Sequence, residues 1–261
     1  MLKKRIIFTL LYFEGFFCLS RNFRLQKVGD IDWLLNKFHF ENLSGSIDEL
    51  IVINISANPI LDSNFLDSLE RILKYFFIPV TIGGNIRSLD SASQLFNIGA
   101  DKIAINTLFH LEPQVCLDVI NRFGSQAVVA SVDVRVILDT DSSISNCYTY
   151  YSRGLIKSFS IEEHFSSIQE FGCGEILLRS IDRDGTGNGL DMRIIDFIKE
   201  VPKVPLVFAG GIGKPSNILE GILNEKVDAV ATANLLNFVG NGLFEARKYV
   251  SELHGNITNF D

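Results

Sequence analysis

Two glycine runs, Gly83-Gly84-Asn85 and Gly210-Gly211-Ile212-Gly213, each follow a short apolar stretch opened by proline and precede a helical pattern. Glycine lets a backbone approach an anion and turn its N–H groups toward it, and a helix N-terminus adds to the attraction. That is phosphate-binding chemistry. Asn106-Thr107, Asp184-Gly185-Thr186 and Ala233-Asn234 stand at comparable ends of apolar stretches and join the candidate set. A tight turn would use the same glycines, but two related runs favour the phosphate reading. Asp133 ends the stretch Val-Val-Ala-Ser-Val-Asp, where a carboxylate could act as general acid or base or pair with Arg135 or Arg179. Arg5, Glu49, Lys102 and Glu175 form a third group, each opening an apolar stretch. Two acids and two bases at one level could close a salt-bridge ring, serving as a stabilising plug or as a gate.

The elements that must position these residues are short apolar runs alternating with amphipathic segments. Strands are predicted over 5–11, 49–55, 79–82, 102–105, 127–134, 175–181, 206–209 and 229–232. Helices are predicted over 32–40, 64–76, 89–97, 112–123, 161–171, 191–200, 215–224 and 242–253. Strict alternation of eight strands and eight helices implies an α/β fold, a single (β/α)8 barrel over residues 1–261, because no proline- or serine-rich linker divides the chain. In such a barrel the four charged residues lie on the N-terminal face, while the glycine runs and Asp133 lie on the C-terminal face. Gly83 and Gly210 stand 127 residues apart, as do Asp101 and Asp228, and Glu49 and Glu175 stand 126 apart, which suggests a duplicated half-barrel. Phosphate sites in opposite halves suit a ligand with phosphates at both ends. The polar stretches 14–30 and 137–151 are long for βα loops and are expected to fold as hairpins over the C-terminal face.

With 47% hydrophobic and 21% charged residues, the chain can bury one large core. A net charge of −7 and a pI near 5.2 argue against nucleic acid as a partner. Cys18, Cys116, Cys147 and Cys173 show no paired spacing and read as reduced thiols. Asp182 and Asp184 make only a fragment of a calcium-loop pattern, and nothing calls for a metal or another cofactor. Lys3-Lys4-Arg5 and the apolar run after it mimic a secretory leader, but Glu14-Gly15 interrupts the run, so a first strand is expected. No stretch has the length of a membrane span, and a cytoplasmic protein is expected.

Segments 4–7, 48–50, 78–88, 99–102, 122–126, 174–175 and 180–186 resemble the cyclase subunit of imidazole glycerol phosphate synthase, and the likeness runs along nearly the whole chain. That resemblance implies a (β/α)8 barrel that docks a glutaminase subunit on its N-terminal face and passes ammonia through the barrel to a bis-phosphate substrate. It implies that Arg5, Glu49, Lys102 and Glu175 are the ammonia entrance, that Asp101 faces the glutaminase and that Asp133 is one of two catalytic acids. It departs from the family at Leu11, where the second catalytic aspartate is expected, at Leu19 for a loop lysine and at Asn54 for an acid. Arg179 stands for a small polar residue and Asn234 for a serine. In these departures the chain resembles a divergent branch associated with acetamidino sugars of surface polysaccharide. There the expected partners are a glutaminase, a separate amidotransferase and a nucleotide-linked sugar. A cyclase of histidine biosynthesis and a non-catalytic, glutaminase-activating scaffold are the alternatives.

Overall fold

The computed structural model describes residues 3–38, 43, 45–56, 62–138, 145–152, 155–234, 241–258 and 260. Strand β1 (Arg5–Phe13) runs into a hairpin of β2 (Phe16–Arg21) and β3 (Arg24–Gly29). Then come β4 (Glu49–Asn54), β5 (Val80–Gly83), β6 (Lys102–Ile105) and β7 (Val128–Leu138). A second hairpin, β8 (Ser145–Tyr151) with β9 (Ile156–Ser160), pairs onto the end of β7. Strands β10 (Glu175–Ser180), β11 (Leu206–Ala209) and β12 (Ala229–Thr232) complete the sheet. The eight strands outside the hairpins pair in parallel in the order β1-β4-β5-β6-β7-β10-β11-β12, and β12 returns to β1. The sheet therefore closes as a barrel. Carried once round it, the registers return to β1 displaced by eight residues, the shear of a (β/α)8 barrel.

Alternation along each strand divides the apolar residues into two cores. Ile7, Ile51, Val129, Leu177, Val207 and Ala229 belong to the smaller cluster, which fills the barrel. Their neighbours, such as Ile6, Phe8, Val52 and Phe208, pack in the larger one against the helices. Helices α1 (Ile31–Phe38), α2 (Ser63–Leu73), α3 (Leu89–Ile98), α4 (Thr107–Leu111), α5 (Pro113–Phe123) and α6 (Ile161–Phe171) lie between the strands. So do α7 (Arg193–Asp196) and α8 (Pro215–Leu223), and α9 (Gly242–Glu252) follows the last strand. Ser88 and Ser160 start α3 and α6 with capping boxes, while Gly99 and Gly172 end them in left-handed conformation. No helix among the described residues is long and apolar enough to cross a membrane.

Three seams between barrel strands share one device. The Asp101 N–H donates to the Val80 carbonyl (2.9 Å) while its carboxylate accepts from the Val80 N–H (2.8 Å). Asp228 does the same with Leu206 (2.8 and 2.9 Å), and Asp48 with Ile6 (2.8 and 2.7 Å). Near Asp48, the buried Arg247 of α9 bonds the Asp48 carboxylate and the carbonyls of Ser46 and Thr258. The Lys4 N–H donates to the Asn256 carbonyl at 2.7 Å.

All eight predicted strands are present, and both long stretches form hairpin strands, with residues 139–144 of the second lying outside the described residues. The four cysteines are free and buried. The helix predicted over 112–123 is present as α5, and one other helix prediction needs correction. In place of a helix over 191–200 only Arg193–Asp196 is helical, and its bonds run from Ile194 to Asp191, Ile195 to Met192 and Phe197 to Ile194, three residues back. The Asp191 carboxylate is held by Arg193 at 2.7 Å, and Lys226 Nζ donates to the Ile195 and Ile198 carbonyls at 3.3 and 2.7 Å, beyond which the helix does not continue. Before Pro113, Glu112 is forced out of helical geometry (φ −139°), so α4 and α5 are separate helices.

Candidate functional site

At the strand starts the four charged residues meet. Arg5 Nη1 lies 2.5 Å from Glu49 Oε1 and Arg5 Nη2 lies 2.6 Å from Glu175 Oε1. Lys102 Nζ lies 3.0 Å from Glu49 Oε2 and 2.8 Å from Glu175 Oε2. Each acid thus touches both bases, and the ring is closed and neutral. Burial works against the Arg5 charge, but Glu175 and Glu49 more than offset it and hold the guanidinium protonated above its ordinary pKa. Above the ring, the inward residues up to Asp133 carry no ionisable side chain: Ile7 and Thr9 on β1, Ile51 and Ile53 on β4, Val129 and Ser131 on β7.

At the opposite mouth Asp133 is engaged on both oxygens. Arg179 Nε and Nη2 converge on its Oδ1 at 2.8 and 2.7 Å, and Asn106 Nδ2 donates to its Oδ2 at 3.0 Å. Of the two arginines named from the sequence, Arg179 is the partner; Arg135 pairs with Asp182 at 2.9 Å. Burial pushes the Asp133 carboxyl above its ordinary pKa, and the Arg179 charge opposes that shift. The ion-pair reading therefore describes Asp133 in this state, with its lone pairs turned to Arg179 and Asn106.

A cavity of about 220 Å³ opens beside this pair. Asp184, Gly185, Gly210, Gly211, Ala233 and Asn234 line it, together with Leu11, Leu19, Arg179 and the hairpin residues Ser20, Arg21 and Gln26. Gly83, Gly84, Asn106 and Thr107 do not line it. Gly84 adopts φ +101°, and a Cβ there would meet the Asn54 carbonyl at 1.8 Å, so close packing already explains this glycine. Thr107 Oγ1 accepts from the Ser152 N–H at 3.4 Å, and Asn106 is occupied by Asp133. The Asp184 loop also has a structural task. Its carboxylate accepts from Ser20 Oγ (2.5 Å) and the Phe23 N–H (3.1 Å), and a Cβ on Gly185 would meet the Ser20 carbonyl at 1.7 Å. The loop clamps the first hairpin over the mouth. Asp101 is exposed, although one carboxylate oxygen serves the β5 seam.

Residues 36–240 match the family model described as histidine biosynthesis protein, which covers well over half of the chain. The chain belongs to the histidine biosynthesis protein family. A protein of Parasynechococcus marenigrum (strain WH8102) that bears the name imidazole glycerol phosphate synthase subunit hisF2 is 41% identical over 249 residues, 95% of this chain and 90% of that protein. The imidazole glycerol phosphate synthase subunit HisF of Chlorobaculum tepidum is 34% identical over 257 residues, 97% of each chain. HisF of Exiguobacterium sp. is 34% identical over 238 residues, 91% of this chain and 89% of its own.

Within this histidine biosynthesis family barrel, Leu11 is 4% exposed and lines the cavity from β1, and Leu19 lines it from β2. Asn54 is buried at the end of β4, outside the cavity, and its Oδ1 accepts from the Ser56 N–H at 2.9 Å. The polar lining residues that sequence reasoning missed are Thr9, Ser20, Arg21, Gln26 and Thr232. Thr9 was within reach, since alternation from Arg5 through Ile7 turns it inward. The hairpin residues carried no such signal.

Proposed function

We propose that this protein is the barrel subunit of a glutamine-dependent, imidazole glycerol phosphate synthase-type complex. It takes ammonia from a glutaminase at its N-terminal face and delivers it at the C-terminal mouth to a phosphorylated or nucleotide-linked acceptor. The observation that carries this reading is the closed Arg5–Glu49–Lys102–Glu175 ring beneath an interior without ionisable groups. Neutral ammonia can cross such an interior, whereas ammonium would have to shed its hydration without a partner. Phe77, 98% exposed on the segment leading into β5, offers the partner an apolar contact beside the entrance, and Asp101 stands on the same face.

At the other end, proton transfer by a carboxylate pair is poorly served. Leu11 has no proton to give, and Asp133 is engaged by Arg179. General acid–base catalysis is typically worth 10²–10⁴ in rate, about the loss expected for cyclisation. This favours delivery to a different acceptor, a nucleotide-linked sugar aminated by a further amidotransferase. The second reading, a cyclase forming imidazole glycerol phosphate in histidine biosynthesis, is favoured by the near full-length likeness to HisF subunits.

The two are separated by purifying the barrel with its glutaminase and following amide-¹⁵N glutamine. The proposal expects a stable complex, glutaminase turnover and no imidazole product from the cyclase substrate. Normal cyclase turnover, or rescue of a cyclase-deficient histidine auxotroph, would decide for the second reading. Nitrogen transfer untouched by Glu49→Ala in an intact complex would remove the ammonia entrance from both.

A further inference from the structure

Arg179 stands near the end of β10, where alternation turns its side chain inward above Glu175 and Leu177. Of the five N–H groups of a guanidinium, two point at one oxygen, Asp133 Oδ1. No other acceptor meets this side chain among the described residues, so three donors remain. The side chain is 18% exposed and lines the cavity. The other nearby carboxylate, Asp184, accepts from Ser20 Oγ and the Phe23 N–H on Oδ2 alone, and its charge also acts on Arg179, but it makes no hydrogen bond to the guanidinium. The guanidinium is also held in place: the Phe23 ring centroid lies 5.1 Å from Cζ, and Asn106 fixes Asp133 from its far side. A largely desolvated, pre-oriented fork with unused donors is an oxyanion receptor, because it matches two oxygens at once and loses little entropy on binding.

We infer that Arg179 is an oxyanion-binding residue: its free donors hold a carboxylate or phosphate group of the nitrogen acceptor, and Asp133, paired to its other edge, is the counter-charge that the anion competes with. This rests on the acceptor entering at the C-terminal mouth, as proposed above. Its test needs neither ammonia nor glutaminase, so the two ideas fail separately. A phosphate at the glycine loops would leave Arg179 unused. Here the anion sits on Arg179, in the cavity that Leu11 and Ser20 also line.

The experiment titrates inorganic phosphate and, separately, malonate into the full-length chain and follows the heat. Three proteins are compared: wild type, Asp133→Asn, and the double variant Arg179→Gln/Asp133→Asn, which leaves no buried charge unpaired. The double variant is expected to bind one anion fewer per chain, or to bind it at least tenfold more weakly. Asp133→Asn removes the competing negative charge and is expected to bind that anion more tightly. An effect on phosphate alone identifies a phosphoryl group, and an effect on malonate alone a carboxylate. Equal binding by wild type and double variant, no binding of either anion to wild type, or weaker binding by Asp133→Asn would overturn the inference.

Discussion

Replacing Glu49 with glutamine keeps the side-chain shape but removes one of the two negative charges in the basal ring. Arg5 and Lys102 would then share Glu175 alone, leaving the ring with one uncompensated positive charge. Breaking a buried ion pair typically costs 3–5 kcal/mol. The Arg5 and Lys102 side chains are still 22% and 18% exposed, so water can recover part of their solvation. We therefore expect Glu49→Gln to cost about 2–4 kcal/mol. For a chain of this size that is a fall in Tm of roughly 5–10 °C. Urea denaturation at pH 7 followed by circular dichroism measures it. A cycle with Lys102→Met should return a coupling of at least about 1 kcal/mol, because the double variant restores neutrality. Raising the salt to 0.5 M should change the result little, since a buried pair is weakly screened. A Glu49→Gln protein within about 0.5 kcal/mol of wild type, with no coupling to Lys102, would refute the closed ring.

Three further outcomes are expected. Burial holds the His110 imidazole at a pKa of about 4 and that of His164 at about 3, both from 6.5, and His110 adds to the second shift. The unfolded chain takes up protons below pH 6.5 that the native state refuses, so stability is complete above 6.5 and falls as the pH drops toward 4; the pair should lose on the order of 2–4 kcal/mol between pH 7.5 and 5, and His164→Leu should flatten the denaturation profile. Gly185→Ala, with its new Cβ driven against the Ser20 carbonyl, should release the first hairpin, seen as faster proteolysis within 14–30 while the rest of the chain resists. Asp101→Ala should cost about 1–2 kcal/mol by unpairing the Val80 N–H, whatever it does to glutaminase binding. An unchanged midpoint would remove Asp101 from the β5 seam.

Much of the fold was readable because each barrel strand is short, apolar and set off by punctuation such as Pro79 with Gly83-Gly84 or Pro205 with Gly210-Gly211. The ring was readable for the same reason: Arg5, Glu49, Lys102 and Glu175 each begin a strand, so the closed register brings them to one level. The mouth was harder. Its lining comes partly from a hairpin, where Ser20 meets Asp184 across 164 positions of sequence, and no local pattern encodes that pairing. Glycines were ambiguous, because Gly84 is required by its approach to Asn54 and Gly185 by its approach to Ser20 whether or not an anion ever visits. The helix expected over 191–200 shrinks to 193–196, where Asp191 is held locally by Arg193 and the Ile195 and Ile198 carbonyls turn to Lys226, 28 or more positions away.

The tail beyond α9 gains a mechanical role from where it is tied. Lys4, which it bonds, directly precedes Arg5, and Asp48, which Arg247 bonds together with Thr258, directly precedes Glu49. Arg5 is therefore tied to the tail one residue removed, and Glu49 to Arg247 of α9, which also holds the tail at Thr258. Tail and α9 together bond the barrel's lower rim beside two of its charges. A clip after α9 or a bulky fusion behind it should register as a change in how tightly that rim closes, and a fluorophore placed on the tail would report from outside on events at the barrel axis.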